Sequence, residues 1–179
     1  DLHSFPTRRS SDLEIAIRLE DGGPAFFKQE RIGLGGKPFN ILKFRSMPID
    51  ENRDEFALFN HSKHENLTRI GRFLRDHHLD ELTQLINVLK GDMAFIGPRP
   101  ERKYYIDLIM KQDSRYEQLY QLRPGVTSYA TLHNGYTDTM EKMLIRLEMD
   151  LYYLEHQSLW MDAKILMQTF FSIIGGKRF

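Results

Sequence analysis

Read for the spacing of its apolar positions, the chain opens without a period. Residues 1–13, "DLHSFPTRRSSDL", carry Ser, Arg and Pro but neither helical nor strand alternation, and they read as a non-native leader outside the fold. The first regular pattern is a hairpin. "PAFFKQERIG" and "KPFNILKFRSM" flank "LGG", and the glycines supply the positive φ angles that a tight turn needs. Period-2 alternation puts Phe39, Ile41, Lys43 and Arg45 on one face of the second strand. From Thr68, a capping residue, the period becomes helical, with Ile70, Phe73 and Leu74 on one side and Arg69, Arg72 and Arg75 on the other. A second helix is predicted over 79–90, with Leu82, Leu85, Ile86 and Leu89 turned inward and Gly91 ending it.

Beyond "GPRP", the segments "ERKYYIDLIMKQ" and "SRYEQLYQL" predict two helices. "RPGVTSYATLHNGYTD" is too rich in Pro, Gly, Thr and Asn to predict a third. Asp138 or Thr139 can cap a long helix to about His156, with Met140, Met143, Leu144, Leu147, Leu151 and Leu154 as its buried stripe. The final segment, "SLWMDAKILMQTFFSIIGGKRF", has the composition of a buried terminal helix and equally of one lying at a membrane surface, with Trp160, Phe170, Phe171, Lys177 and Arg178 suited to that boundary. No internal repeat is present.

Composition narrows the classes. With 25 Lys plus Arg against 25 Asp plus Glu, the formal net charge is zero, which removes the global basic excess of a nucleic-acid binder. The chain has no cysteine, so disulfide scaffolds, thiolate zinc sites and cysteine nucleophiles are excluded. No stretch reaches the 18 or so apolar residues of a membrane span. At 179 residues, one domain is expected.

Motif by motif, most of the candidate chemistry falls away. "GLGGKP" has Arg31 where a Walker loop needs its first glycine and Pro38 where it needs Ser or Thr, and Pro38 also replaces the last glycine of a dinucleotide motif. His61 with His64, and His77 and His78 with Asp80, match no zinc spacing, and there is no G-x-S-x-G elbow. What remains is "HHLDELTQLINVLKGDMAFIGPRP". Asp80 and Glu81 sit where a first helical turn favours carboxylates, and the macrodipole there would lower their pKa. Arg75 lies upstream, and Arg99 is stiffened by Pro98 and Pro100. Spacing alone leaves two readings, a structural ion pair or a catalytic carboxylate ringed by cations. Lys43 and Arg45 are open in the same way, as a phosphate grip or as a solvated strand edge.

Three stretches, "GGPAFFKQERIGLGGKPFNILKFRSM", "TRIGRFLRDHHLDELTQLINVLKGDMAFIGPRP" and "LRPGVTS", follow in the order and spacing of the bacterial sugar transferases. These are the monotopic polyprenyl-phosphate hexose-1-phosphate transferases that start exopolysaccharide, capsule and O-antigen assembly, and the resemblance covers residues 22–179. It implies that a UDP-sugar gives up its sugar 1-phosphate to a polyprenyl phosphate, usually undecaprenyl phosphate, with release of UMP. It also implies Asp80 as nucleophile, Glu81 as its helper, both as ligands of Mg²⁺, and Arg75, Arg99, Lys43 and Arg45 as phosphate-binding groups.

Two departures stand out: the family's "RRTSLDELPQL" is here "RDHHLDELTQL", with His78 at the usual Ser and Thr83 at the usual Pro. A re-entrant membrane helix is expected before the "GP" segment, where this chain has "EIAIRLED" behind the leader. The resulting expectation is a helix-dominated α+β domain over residues 14–179, with one small hairpin, amphipathic membrane-surface helices and that re-entrant helix missing. Its partners would be a UDP-sugar, a polyprenyl phosphate and the cytoplasmic leaflet of the inner membrane, with no nucleic acid; homo-oligomerisation stays open. A non-catalytic membrane-surface module and a nucleotide-sugar-binding module of the same fold are the alternatives.

Overall fold

The computed structural model describes residues 15, 17–20, 22–48, 67–76, 79–135, 137 and 139–175. The leader, His61, His64, His77, His78, Asp138, Lys177 and Arg178 lie outside them. The expected hairpin is present: β1 (Phe26–Ile32) pairs antiparallel with β2 (Pro38–Phe44), from Phe26 opposite Phe44 to Ile32 opposite Pro38. Gly35 and Gly36 in the turn take φ of 66° and 71°, values that side chains disfavour. Phe44 is buried with Ile17, Ala25 and Leu74, and this small cluster seats α1 (Arg69–Asp76) against the hairpin. Thr68 caps α1 as expected, its Oγ1 accepting from the Gly71 N–H at 2.8 Å. Leu74 is fully buried, but Phe73, expected beside it, is half exposed.

The predicted 79–90 helix is split and turned over. Leu79–Glu81 is a single 3-10 turn, and the α-helix proper is α2 (Gln84–Lys90), closed at Gly91 with φ 83°. Leu82, Leu85, Ile86 and Leu89 face outward, Leu89 at 88% exposure, whereas Thr83, Gln84 and Asn87 are buried. The reason lies in β2, whose backbone needs hydrogen-bond partners on the side away from β1. Asn87 supplies them like an inserted peptide unit: its Oδ1 accepts from the Leu42 N–H at 3.1 Å, and its Nδ2 donates to the Asn40 carbonyl at 2.8 Å. Thr83 Oγ1 donates to the Leu42 carbonyl at 2.8 Å. Covering a strand edge takes polar atoms, so the polar stripe of α2 turns inward and its leucines outward. Replacing Asn87 with Leu, which orphans both backbone groups of β2, is expected to cost about 2–4 kcal/mol in urea-unfolding free energy.

After α2 comes β3 (Ala94–Ile96), then α3 (Lys103–Gln112) and a 3-10 stretch, Ser114–Gln121, where a helix was expected. β4 (Gly125–Thr127) pairs parallel with β3, and α4 (Tyr129–Asn134) follows it. Neither element was predicted. The turn-forming composition of 123–138 hid a three-residue strand and a helix that Ser128 caps, its Oγ accepting from the Thr131 N–H at 2.9 Å. α5 (Met140–His156) matches its predicted stripe, with Met143, Leu147 and Leu151 packing on Ile32, Tyr105, Ile106, Ile109 and Tyr116 to form the main core. α6 (Leu159–Ile174) buries Ile165 and leaves Trp160, Met167, Phe170 and Phe171 exposed. Among the described residues, no helix is long and apolar enough to cross a membrane. The architecture is helix-dominated α+β, with a second, parallel pair of strands beside the hairpin.

Candidate active site

By covering the edge of β2, α2 brings the turn before it, Leu79–Glu81, alongside Lys43. Glu81 Oε1 accepts from Lys43 Nζ at 2.8 Å, and Arg99 Nη2 lies 3.7 Å from the same oxygen. Asp80 sits deeper, 8% exposed. Its pKa is raised above the usual carboxylate value, by burial first and by the neighbouring Glu81 charge second, against the pull of Lys43 and Arg75. This reverses the expectation that a helix terminus would lower it. The acid lies in a 3-10 turn separated from α2 by Leu82 and Thr83, and loss of water outweighs any dipole.

Arg75, near the end of α1, donates from Nε to Ser46 Oγ at 3.1 Å, which turns the guanidinium toward the hairpin end and within electrostatic reach of Asp80. Arg45 takes another course. It is 7% exposed and folded into the protein, so the solvated-edge reading fails for Arg45, while Lys43 is the strand cation bonded to Glu81. Among the described residues, three cations from three separate elements thus approach two adjacent carboxylates, a setting that could receive an anionic ligand.

Arg99 is carried by a strap of residues 97–101 fastened on both sides. The Gly97 N–H donates to the Thr127 carbonyl at 3.1 Å, and the Gly125 N–H to the Pro98 carbonyl at 2.9 Å. On the far side, Arg31 Nη1 donates to the Pro100 carbonyl at 3.1 Å, and the Ile32 N–H to the Glu101 carbonyl at 3.1 Å. Next to the strap lies a charged cluster the sequence reading did not single out: Arg31, Glu101, Arg146 and Asp150. One signal was present, because Asp150 stands on the inward side of the α5 stripe, three residues after Leu147. It is 3% exposed, and burial pushes its carboxyl up to about 7.

As a donor set for a metal, the acidic pair offers hard carboxylate oxygens whose mutual repulsion a divalent cation would relieve. No group of three or more His, Asp or Glu side chains occurs among the described residues, so Asp80 and Glu81 fit Mg²⁺ only with phosphate or water oxygens completing its shell, an arrangement Mg²⁺ commonly adopts.

Fold and site together define a helix-dominated α+β domain that holds an Asp-Glu pair among cations from separate elements. The chain belongs to the bacterial sugar transferase family, whose model matches residues 12–176. It is 43% identical to the UDP-glucose:undecaprenyl-phosphate glucose-1-phosphate transferase of Caulobacter vibrioides over 89% of this chain and 60% of that one. It is 38% identical to the UDP-N-acetylgalactosamine-undecaprenyl-phosphate N-acetylgalactosaminephosphotransferase of Aeromonas hydrophila, over 90% and 38%. With the glucose-1-phosphate transferase of Escherichia coli K12 the identity is 39%, over 89% and 34%. The chain therefore spans between a third and three-fifths of the length of these relatives.

Proposed function

We propose that this chain transfers a sugar 1-phosphate from a UDP-sugar to undecaprenyl phosphate, releasing UMP, at the cytoplasmic face of the bacterial inner membrane. The observation that carries the reading is the Asp80-Glu81 pair held against Lys43, Arg75 and Arg99 in a chain whose relatives are named for this transfer. Those relatives differ in the sugar and agree in the phosphate exchange, so the shared sequence follows the phosphate chemistry. Residues 14–179 are the catalytic unit in this reading.

A carboxylate oxygen of Asp80 attacks the phosphorus that bears the sugar. The bond to the bridging oxygen breaks, UMP leaves with that oxygen, and an acyl phosphate carrying the sugar stays on Asp80. A phosphate oxygen of undecaprenyl phosphate then attacks the same phosphorus and restores the carboxylate. Attack of an anion on a diphosphate needs the charge on the phosphoryl oxygens offset, and Arg99, Arg75 and Lys43 are placed to do this. Glu81 holds Lys43 and Arg99 beside Asp80. When bound by Asp80 and Glu81, Mg²⁺ would add Lewis-acid neutralisation of the same oxygens. The outward leucines of α2 and the exposed Trp160, Met167, Phe170 and Phe171 of α6 support contact with a membrane surface, where the lipid acceptor resides.

The test is UMP release from UDP-sugar by the whole chain, with and without undecaprenyl phosphate and with and without EDTA. The expected result is turnover that needs both lipid and divalent cation, with a phosphosugar adduct on the protein by mass spectrometry when lipid is withheld. UDP-sugar binding with no UMP release under any condition would instead mark a binding module.

A further inference from the structure

We propose that Arg31, Glu101 and Arg146 are positioning residues for Arg99: a triad of charges that clamps the strap behind it and directs its guanidinium toward Glu81. This rests on the reading of Arg99 as a phosphate-binding group.

The geometry is that of a clamp. Pro98 and Pro100 have no N–H, so the strap around Arg99 is held through its carbonyls. The Pro98 carbonyl is taken by the Gly125 N–H, and the Pro100 carbonyl by Arg31 Nη1, a side chain from β1. The same nitrogen of Arg31 lies 3.4 Å from Glu101 Oε2, and its Nη2 donates to Gln29 Oε1 at 2.7 Å. Glu101 Oε1 accepts from Arg146 Nη1 of α5 at 3.0 Å. One carboxylate thus ties β1, the strap and α5 together, with all three side chains mostly shielded from water. A buried ion pair is weak evidence for stability, but its members resist parting, because separation leaves an unpaired buried charge.

Electrostatics sets the direction. Burial pushes the Arg31 guanidinium down to about 10 and lowers that of Arg146, and the charge of Arg99 adds to both effects. Arg99 therefore lies within electrostatic reach of both guanidiniums that hold Glu101. Arg31 and Arg146 are fixed to Glu101, so their repulsion falls on Arg99, the most exposed of the three, and turns it toward Glu81. Behind the triad, Asp150 and Arg99 border a cavity of about 10 Å³, close to the room that one water needs. Asp150 Oδ1 and Arg146 Nε, both buried, have no hydrogen-bond partner among the described residues.

Two variants test this, Glu101→Gln and the milder Arg31→Lys, which keeps the charge but not the fork that reaches a carbonyl and a carboxylate together. In arginine side-chain ¹⁵N NMR of the unliganded chain, the Arg99 Nε–H group is expected to lose order in both variants, and unchanged order in a folded variant overturns the proposal. UDP affinity by titration calorimetry is expected to fall about tenfold in Glu101→Gln, with no further loss when the same change is made in Arg99→Ala. An equal loss in both backgrounds also overturns it, because Glu101 would then act by some route other than Arg99. Undiminished UDP binding by Arg99→Ala alone refutes the phosphate-binding reading, and the NMR result then decides the positioning role by itself.

Discussion

Asp80→Asn is expected to lower UMP release at least about 10³-fold while leaving the thermal transition in place or slightly higher. The two halves of this result have separate causes. Asn keeps the shape of the side chain but cannot form the acyl phosphate, so the route through Asp80 closes. Stability holds because the carboxylate is a burden on the folded state: it is buried and adjacent to Glu81, and both features raise its pKa. A group with a raised folded pKa contributes stability that is complete below its unfolded pKa and is lost as pH rises through the folded one, and the Asn variant should lack this dependence. Wild-type UMP release by the Asn variant would remove Asp80 from the nucleophile's role.

The second large effect is structural. Gly97→Ala is expected to cost about 3 kcal/mol or more, lowering the melting temperature by about 6–12 °C, with collapse of UMP release. A Cβ at Gly97 would stand 2.2 Å from the Arg123 carbonyl oxygen, and one at Gly125 would stand 2.2 Å from the Gly97 nitrogen. Both obstacles are backbone, so no rotamer change relieves them, and the strap bearing Arg99 would have to lift away from β4. Gly91→Ala is the control. Its position has a φ of 83° but nothing within 4 Å of the added carbon, so only the backbone preference is lost, about 1 kcal/mol. Similar melting temperatures for the two variants would show that the approach of strap to strand is not as close as described.

Residues whose chemistry matched their neighbourhood could be read from the sequence. The hairpin, the Thr68 and Thr139 caps, the Gly91 stop and the Met143-Leu147-Leu151 stripe each announce themselves by local pattern. The meeting of Asp80-Glu81 with Arg99 and Lys43 could be suspected only through the order of motifs, since 38 residues separate Lys43 from Glu81. What stayed hidden depended on distant partners. The polarity of α2 is inverted because β2 needs its edge covered, a demand written 45 residues upstream of Asn87. The Arg31-Glu101 pair joins positions 70 apart, and no periodicity within either segment reports it. The raised pKa of Asp80 likewise depends on burial, which local helix-end reasoning does not include.

The inverted helix also reverses the usual relation between apolarity and mutational constraint. In a library that replaced each residue of 82–90 in turn and was sorted for folded protein, ordinary amphipathic logic would protect Leu82, Leu85, Ile86 and Leu89. Here the intolerant position should be Asn87, whose amide serves both the Leu42 N–H and the Asn40 carbonyl of β2, while the leucines accept polar replacements at little cost to folding. Any such losses seen only when the library is sorted for lipid-dependent activity would then report what the outward face meets, separately from what the fold requires.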